Sequence, residues 1–361
     1  MKSSKYIVIA AGGTGGHVFP AIALAEQLEK EGVYIRFFTD SRGYKYIADT
    51  HYDNTLLKVK SVSSGNLISR ISRWLRIITE SFRVICIMLY RRPVYVIGFG
   101  GYPSFPTVFA ALFLQIPCIL HEQNSVLGRV NRLFAPWVKT VAMGMAHTDK
   151  LPKTAKTIFT GNPIRCVFRL GIKDNIQYHF DKYGPINIVV IGGSQAASIF
   201  TEIVPQIIFR LPLSYRSRVK IIHQSPSYDI DRLEKEYTLM NVECMVRPFF
   251  TDMHNCFKNT HLVISRAGAG TLAEISMAGR PSILVPLHIA TDNHQEKNAR
   301  LFEREGASLL KTEEDFNDIE SMTHIISHLF ENKELLYEMA SKSRGLACCD
   351  AHKRLADVVL D

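Results

Sequence analysis

The 361-residue chain is long enough for two domains, and its composition, 47% hydrophobic and 21% charged, excludes a disordered or low-complexity protein. The longest apolar stretch, 107–120, is interrupted by Gln115 and Pro117, which argues against a membrane-spanning helix. Residues 1–163 carry 20 Lys and Arg against 9 Asp and Glu, whereas the remainder carries 23 against 25. A basic first half fits a nucleic acid, an anionic membrane surface or a phosphorylated substrate.

The first half alternates apolar runs with stretches of helical periodicity. It predicts a first strand at 6–10, which is too short for a signal peptide and runs directly into a glycine loop. A helix over 20–31 follows, and later strands are predicted at 34–40, 95–101, 118–124 and 140–144. This alternation is typical of a parallel sheet covered by helices.

The second half repeats this order of elements without repeating the sequence. Residues 186–198 predict a strand, a glycine loop and the start of a helix, and further strands are predicted at 219–225, 242–250, 261–270 and 282–287. The predicted fold class is therefore α/β, with two Rossmann-like, doubly wound parallel sheets in tandem. Ligands bind such sheets at the carboxyl ends of the strands, so two facing domains would form a cleft.

Three glycine-rich loops follow predicted strands: "GGTGGH" at 12–17, "GGSQ" at 192–195 and "RAGAGT" at 266–271. Glycine lets backbone N–H groups approach an anion, and the next helix N-terminus adds about half a positive charge. The loops therefore indicate a phosphate-containing ligand. The first loop does not match GxGxxG, and Asp40 is the nearest acid for a nicotinamide ribose, so that cofactor stays an alternative. The chain has no GxxxxGK[ST], which argues against a P-loop ATPase.

His17 lies where the first glycine loop meets the predicted helix. A histidine there can simply cap the helix. Its ring would also face the predicted cleft, and an imidazole that titrates near neutrality suits a general base. The position favours the functional interpretation.

Neither the acidic nor the cysteine pattern predicts a metal site. Asp229 and Asp231 form the Asp-x-Asp that metal-dependent sugar transferases use, but between "SPSY" and "RLEKEY" Asp229 is better interpreted as a helix N-cap. The seven cysteines include no CxxC pair and no Cys/His cluster. They predict buried, reduced thiols, as in a reducing cytosol.

Seven segments together resemble one known family. They are "GGTGGH" (12–17), "GGYPS" (100–104), "HEQN" (121–124), "GNPIR" (161–165), "GGSQ" (192–195), "RAGAGTLAE" (266–274) and "DNHQEKNA" (292–299). Each alone is weak, but seven in the same order across nearly the whole chain are highly specific. The chain resembles the MurG family of UDP-N-acetylglucosamine (UDP-GlcNAc) transferases, which complete the lipid-linked disaccharide precursor of bacterial peptidoglycan.

The resemblance implies a GT-B glycosyltransferase that inverts the anomeric centre and needs neither a metal nor a cofactor. GlcNAc would move from UDP-GlcNAc to the C4 hydroxyl of MurNAc in undecaprenyl-pyrophosphoryl-MurNAc-pentapeptide, converting lipid I into lipid II. The alternatives are a GT-B transferase with another lipid acceptor, an epimerase of the same architecture, and a non-catalytic UDP-sugar-binding membrane scaffold. The basic run lacks a recognisable nucleic-acid-binding motif, so no nucleic-acid partner is predicted.

The resemblance also implies a division of labour between domains. Residues 1–163 would bind the polyprenyl-pyrophosphate-linked acceptor and the membrane, and residues 164–340 would bind UDP-GlcNAc. A C-terminal helix within 341–361 would pack back on the first domain. The enzyme would work peripherally at the cytoplasmic face of the bacterial inner membrane, with contacts to other cell-wall synthesis or division proteins left open.

Site residues follow from the resemblance motif by motif. His17, as the base, and Glu122 are the candidate catalytic residues. The backbone around Phe250 would read uracil, and Glu274 would accept hydrogen bonds from the ribose hydroxyls. The other predicted contacts to UDP-GlcNAc are Thr14, Gly15, Gly16, Asn124, Arg165, Ser194, Ala269, Gly270, Thr271, Leu272, Ala273, His294 and Gln295, and the loops near the acceptor and its pyrophosphate contain Gly12, Gly13, Gly100, Gly101 and Tyr102.

Two positions depart from the family pattern, which has glycine at both. Ala196 is tolerable if it keeps a helical φ at the start of its helix. Phe105 puts in question how closely the acceptor can approach the 100–104 loop.

The stretch 66–92 carries six arginines and one acid, Glu80. Leu67, Ile71, Trp74, Leu75 and Ile78 recur at helical spacing with arginines beside them. This predicts either a helix on the sheet with a solvated basic face or a peripheral contact with anionic lipid, and a lipid-linked substrate favours the second. The predicted membrane contacts are Arg70, Arg73, Trp74 and Arg76.

Overall fold

The computed structural model describes residues 6–60, 67–171, 178–193, 198–288 and 291–361. Contacts divide the chain into two compact units, Met1–Cys166 with Asp350–Asp361, and Val167–Cys349. Each unit contains one parallel β-sheet with helices packed on it. The predicted α/β class with two parallel sheets is confirmed.

The first unit has a seven-stranded sheet in the order β3-β2-β1-β4-β5-β6-β7. Its strands are β1 (Tyr6–Ala10), β2 (Tyr34–Thr39), β3 (Asp53–Leu56), β4 (Tyr95–Gly98), β5 (Cys118–Glu122), β6 (Thr140–Met143) and β7 (Thr157–Phe159). Its helices before the unit boundary are α1 (Gly15–Lys30), α2 (Ser41–Ile47), α3 (Leu67–Tyr90), α4 (Phe105–Phe113) and α5 (Arg129–Phe134), and α6 (Cys166–Gly171) spans that boundary.

The second unit has a six-stranded sheet in the order β10-β9-β8-β11-β12-β13. Its strands are β8 (Ile186–Ile191), β9 (Val219–Gln224), β10 (Glu243–Arg247), β11 (Leu262–Ser265), β12 (Ser282–Leu284) and β13 (Ser308–Leu310). Its helices are α7 (Ser198–Arg210), α8 (Leu213–Arg216), α9 (Ile230–Leu239), α10 (Met253–Lys258), α11 (Ala269–Ala278), α12 (His294–Arg304), α13 (Glu313–Asn317), α14 (Ile319–Glu331) and α15 (Lys333–Gly345).

The last helix, α16 (Ala351–Leu360), belongs to the first unit and packs on α1. Leu355 and Val359 are buried in the same apolar cluster as Leu24 of α1. The predicted segment 341–361 is therefore split between the units: residues 341–349 belong to the second unit and residues 350–361 to the first. The assignment of acceptor and donor binding to the two domains stays a prediction.

Strand β1 shows why these runs form a buried parallel sheet. All five of its residues are buried, and successive side chains enter opposite layers. Tyr6 and Val8 join the cluster that contains α3 and α4, whereas Ile7 and Ile9 join the cluster that contains α1 and α16. Both faces are thus covered, and the carboxyl edge of the sheet is left for the loops.

Several details differ from the sequence predictions. Helix α1 begins at Gly15, five residues before the predicted start, and therefore contains Pro20 in its second turn. Strands β3, β7 and β13 were not predicted, since none of them is a continuously buried apolar run. No cysteine among the described residues forms a disulfide. Cys118 and Cys256 are buried, whereas the burial prediction is wrong for the exposed Cys86 and Cys349.

Candidate active site

The first glycine loop connects β1 to α1 and is held by Asp40. The buried Asp40 carboxylate accepts hydrogen bonds through Oδ1 from Gly13 N (2.8 Å) and Gly43 N (2.9 Å), and through Oδ2 from the Tyr102 hydroxyl (2.7 Å). Burial and the bond to Asp40 raise the pKa of Tyr102 to about 12. Because these three donors occupy the carboxylate, Asp40 is a structural residue of this loop, and the alternative of a nicotinamide ribose is not supported.

Glycine is required by close approach at Gly12 and by backbone conformation at Gly13. A Cβ on Gly12 would lie 2.6 Å from Asp40 Oδ1 and 2.8 Å from Pro103 Cβ, and Gly13 has a φ of +81°. Gly100 and Gly101 also have positive φ. This set of glycines brings the 12–17 loop and the 100–104 loop together at the carboxyl ends of β1 and β4.

His17 lies in the first turn of α1 and is half-buried. Its Nδ1 is 3.5 Å from Thr14 Oγ1, and Gly101 lies against the other side of the ring, where an added Cβ would be 3.8 Å from Nε2. Thr14 is the N-cap of α1 but makes no side-chain cap hydrogen bond. The Thr14 hydroxyl therefore does not cap the helix, and Gly15 and Gly16 place backbone N–H groups beside Thr14 and His17 at the positive end of α1.

Glu122, at the end of β5, is buried and bonded within its own loop. Its Oε1 accepts from Asn124 N and Nδ2 (3.1 Å each), and its Oε2 accepts from Gly128 N (2.8 Å) and Asn131 Nδ2 (3.0 Å). Burial raises the pKa of Glu122, and these four hydrogen bonds oppose that rise. The geometry favours a role in shaping the 122–131 loop, including Asn124, and a direct catalytic role stays a prediction.

His121 is a neighbour of this site that the sequence did not single out as catalytic. It is buried, its Nε2 lies 3.3 Å from Gly161 O, and Phe99 packs on its ring. Burial, with a smaller contribution from the charge of His17, lowers the pKa of His121 to about 4. His121 is therefore neutral near pH 7. Its position beside "EQN" was the only sequence signal.

Arg165 lies in the first unit, next to its last residue before the boundary, Cys166. In the sequence prediction, Arg165 belongs to the donor-binding domain, residues 164–340. Its guanidinium lies over the ring of Phe19, 5.0 Å from the centroid. Phe19 belongs to α1, so Arg165 is placed near the helix that carries His17. Its contact with the UDP diphosphate stays a prediction.

The second unit also has glycine at the carboxyl ends of its central strands. Gly193 follows β8 with a φ of +79°, and α7 begins at Ser198. The predicted diphosphate residue Ser194 and the departure at Ala196 lie outside the described residues. Gly268 is the N-cap of α11, which follows β11.

The predicted donor contacts on helix α11 lie on two faces of the helix, one half-buried and one buried in the core. Thr271 and Glu274, three residues apart, are half-buried on one side, as are Gly270 and Ala273. Leu272 is completely buried in the core, so only its backbone is available to a ligand, and the Ala269 side chain is also buried. The loop before α11 is fixed by Asn298 Nδ2, which donates to Ala267 O at 3.1 Å.

The remaining donor-site candidates lie in the same unit. Phe250 is buried after β10, with Arg247 over its ring, which agrees with use of its backbone alone. His294 is the first residue of α12 and is half-buried. Gln295 Oε1 accepts from Leu287 N at 3.0 Å, so Gln295 also ties α12 to the loop after β12.

The prediction that Asp229 is a helix N-cap is confirmed in position but not in hydrogen bonding. It occupies the N-cap position of α9 but makes no side-chain cap hydrogen bond. Its carboxylate instead pairs with Arg232 (3.0 Å) and accepts from Thr201 Oγ1 (3.3 Å). Within the described ranges, no three His, Cys, Asp or Glu side chains are grouped as metal ligands.

Helix α3 has two apolar faces. Ile77, Val84 and Met88 are buried in the core cluster that includes β1 and α4. A second set, with Trp74 47% and Phe82 66% exposed, faces solvent beside exposed rings of α4. We call this set the α3–α4 surface, and its members are Ile71, Trp74, Leu75, Ile78, Phe82, Phe109 and Phe113.

Arginines and the unusual Phe105 adjoin the α3–α4 surface. Arg70 and Arg76 are exposed and Arg73 is half-buried, whereas the Leu67 side chain lies outside the described residues. The ring of Phe105 lies 6.2 Å from Trp74 and 6.3 Å from Phe109, so this departure from glycine joins α3 to α4. Among the described helices, none is long and apolar enough to cross a bilayer.

Comparison with known proteins gives the class first. Residues 7–143 match the model of the glycosyltransferase family 28 N-terminal domain, and residues 187–355 match that of the family 28 C-terminal domain. A UDP-N-acetylglucosamine 2-epimerase structure is 13% identical with a TM-score of 0.66 over 99% of this chain and 96% of its own, a likeness of fold alone. The chain is a glycosyltransferase of the GT-B fold.

Closer relatives define the family. The UDP-N-acetylglucosamine--N-acetylmuramyl-(pentapeptide) pyrophosphoryl-undecaprenol N-acetylglucosamine transferase of Caulobacter vibrioides is 37% identical over 99% of this chain and 98% of its own length. The crystal structure of Acinetobacter baumannii MurG is 27% identical, with a TM-score of 0.78 and 99% coverage of both chains. The chain belongs to the MurG family.

Proposed function

We propose that this protein transfers GlcNAc from UDP-GlcNAc to the MurNAc residue of a pyrophosphoryl-undecaprenol-linked MurNAc-pentapeptide. The observation that carries this function is the 37% identity, over nearly the full chain, with a relative named for that transfer. Both units also place glycine-rich loops after strands of a parallel sheet, as binding of phosphate groups requires.

The second unit binds the donor in this proposal. The N-termini of α7 and α11 point dipoles at the diphosphate, and Gly193 gives close access to backbone N–H groups. Glu274 accepts hydrogen bonds from the ribose hydroxyls, with Thr271 on the same face of α11. Backbone groups and dipoles then supply the charge stabilisation for which other transferases use a cation.

The first unit supplies the base. His17 Nε2 accepts the proton of the MurNAc C4 hydroxyl as its oxygen attacks the anomeric carbon of GlcNAc. The bond from that carbon to the diphosphate oxygen breaks, and UDP leaves with the bonding electron pair. A single displacement inverts the configuration, so an α-linked donor gives a β-linked product. Thr14 beside Nδ1 and Gly101 beside Nε2 fix the ring for this transfer.

The α3–α4 surface holds the enzyme at the bilayer, where the acceptor is located. Exposed apolar rings flanked by Arg70 and Arg76 suit the interface of an anionic membrane. The location that follows is peripheral, at the cytoplasmic face of the bacterial inner membrane.

The test is transfer of radiolabelled GlcNAc from UDP-GlcNAc to lipid-linked MurNAc-pentapeptide. We expect a lipid-extractable labelled disaccharide with the acceptor, and the same rate when a chelator is added. Release of UDP without labelled lipid, or labelling of a different polyprenyl acceptor in preference, would contradict the proposal.

A further inference from the structure

An open cleft of about 490 Å³ lies between β2 and the C-terminal half of α3. It is lined by Arg36 of β2, by four residues of α3 and by Arg91 immediately after the helix; the α3 residues are Arg83, Cys86, Ile87 and Tyr90. Tyr6 and Tyr34, the first residues of β1 and β2, lie under Arg91. The cleft is therefore at the amino ends of these strands, whereas the glycine loops follow the carboxyl ends.

The guanidinium groups of the cleft are held in place. Arg91 lies over the rings of both Tyr6 and Tyr34, 4.7 Å from each centroid. Arg83 donates to Leu56 O at 3.0 Å, and the Arg36 guanidinium lies over the ring of Phe38, 6.0 Å from its centroid. Fixed guanidinium groups lose less conformational entropy when they bind an oxyanion.

The positive charge of the cleft is only partly compensated. Glu80 pairs with Arg83 at 3.0 Å, and the Asp53 carboxylate accepts from the Tyr34 hydroxyl. Within the part of the chain that the structure describes, Arg36 and Arg91 have no carboxylate at ion-pair distance. Planar guanidinium groups with uncompensated charge are the donors that bind phosphate oxygens most specifically.

The cleft adjoins the apolar stripe of α3. Exposed apolar residues recur every three or four positions from Ile71 to Phe82, and Leu89, seven positions further, lies on the same side of the helix alongside the cleft. Arg83, Ile87 and Tyr90 share the neighbouring side of the helix. An interfacial helix buries its apolar face by about 5–10 Å and is about 10 Å across, so its flanks lie at the level of the lipid phosphates.

We propose that this cleft binds the phosphodiester headgroup of an anionic membrane lipid and so fixes α3 lengthwise on the bilayer. The inference rests on the proposed membrane contact and adds to it a defined site remote from the reacting groups. A free phosphate would meet the same guanidinium groups, but it would gain nothing from the adjoining stripe.

Cys86 lines the cleft and is exposed, which makes it a direct probe. In a Cys349→Ser background, which removes the other exposed thiol, maleimide labelling of Cys86 is followed by peptide mass spectrometry. Vesicles of phosphatidylcholine alone, vesicles that also contain phosphatidylglycerol, and soluble glycerol 3-phosphate are compared. We expect phosphatidylglycerol vesicles to slow labelling by about fivefold or more, and the other two to slow it less than twofold, on the scale of one basic contact.

Arg91→Gln should abolish the protection of Cys86 by phosphatidylglycerol vesicles. Arg36→Gln should weaken the same protection, and it leaves the contacts of Arg91 with the tyrosine rings in place. The matched control is Arg92→Gln, since Arg92 is exposed, outside the cleft, and donates to Leu114 O. Equal loss in Arg91→Gln and Arg92→Gln would show diffuse attraction and overturn the site. Protection by glycerol 3-phosphate alone would overturn the lipid assignment.

Sedimentation of the unmodified protein with the same vesicles separates the two proposals. Sedimentation without protection of Cys86 would overturn the headgroup site and leave the membrane contact standing. Failure to sediment at all would overturn the membrane contact itself.

Discussion

The Asp40 carboxylate oxygen Oδ1 accepts a hydrogen bond from Gly13 N at 2.8 Å. Asp40, which follows β2, therefore fixes the loop that precedes His17. Asp40→Asn removes the charge behind this hydrogen bond and the acceptor for Tyr102. We expect kcat/KM for the acceptor to fall by about tenfold, because one charge-assisted hydrogen bond contributes about 1.5 kcal/mol or more. UDP affinity, measured by calorimetry, should stay within twofold.

Tyr102→Phe is the matched control, since it removes only the bond to Asp40 Oδ2 and leaves Gly13 held. Its effect on kcat/KM should be the smaller of the two. An unchanged rate in Asp40→Asn would contradict the role of this carboxylate in positioning the loop.

His17→Ala tests the base directly. Removal of a general base lowers turnover by about 10²–10⁴-fold. The affinity for UDP should stay unchanged, because in the proposed function the second unit binds the donor. Single-turnover rates and UDP titrations measure the two quantities separately. Parallel losses of turnover and UDP affinity would assign His17 to donor binding, and His17→Gln, which keeps hydrogen bonding without basicity, should be as slow as His17→Ala.

Long apolar runs such as Ile186–Ile191 could be predicted from the sequence, because their burial on both sheet faces leaves few alternatives. Strand β7 could not, since Thr157, Ile158 and Phe159 are all exposed at a sheet edge and form no hydrophobic pattern. The hydrogen bonds of Asp40 with Gly13 and Tyr102 could not be predicted either, because these partners are distant from Asp40 in the sequence. The type and position of His17 indicated a candidate base, which stays a prediction. Only the folded geometry of the 122–131 loop reveals that the Glu122 carboxylate already accepts hydrogen bonds from that loop.

Glu274→Gln tests the ribose contact. The amide retains the size of the side chain but exchanges one acceptor oxygen for a donor, which leaves a ribose hydroxyl poorly paired. A hydrogen bond to a charged group contributes about 1.5–3 kcal/mol, so KM for UDP-GlcNAc should rise by about 10–100-fold. Steady-state kinetics with 2′-deoxy-UDP-GlcNAc checks the mechanism: the unmodified enzyme should lose affinity for it, whereas Glu274→Gln should hardly distinguish the two donors.

Arg70, Arg73 and Arg76 test the membrane contact at the other end of α3 from the cleft. Replacing all three by Gln should weaken sedimentation with anionic vesicles by about fivefold for each arginine that lies near the lipid surface. A matched triple replacement of Arg210, Arg216 and Arg218, which belong to the second unit, should have little effect. Unchanged vesicle binding in the first variant would exclude these arginines as lipid contacts.

His223 should make stability depend on pH. Burial lowers the pKa of His223 in the folded protein to about 3, and its Nδ1 lies 2.9 Å from the Tyr237 hydroxyl. The unfolded chain binds a proton near pH 6.5, so stability is complete above that pH and falls as the pH decreases towards 3. The slope reaches about 1.4 kcal/mol per pH unit for one such group.

Urea unfolding between pH 7 and 4.5 should therefore show a shallower loss of unfolding free energy in His223→Gln than in the unmodified protein, although the variant starts from lower stability because it disturbs a buried contact. His324→Gln is the matched control, since His324 is exposed on α14 of the same unit. It should leave the slope unchanged. An identical slope in His223→Gln would mean that His223 is not buried as a neutral imidazole, because only a group whose protonation differs between folded and unfolded states contributes to that slope.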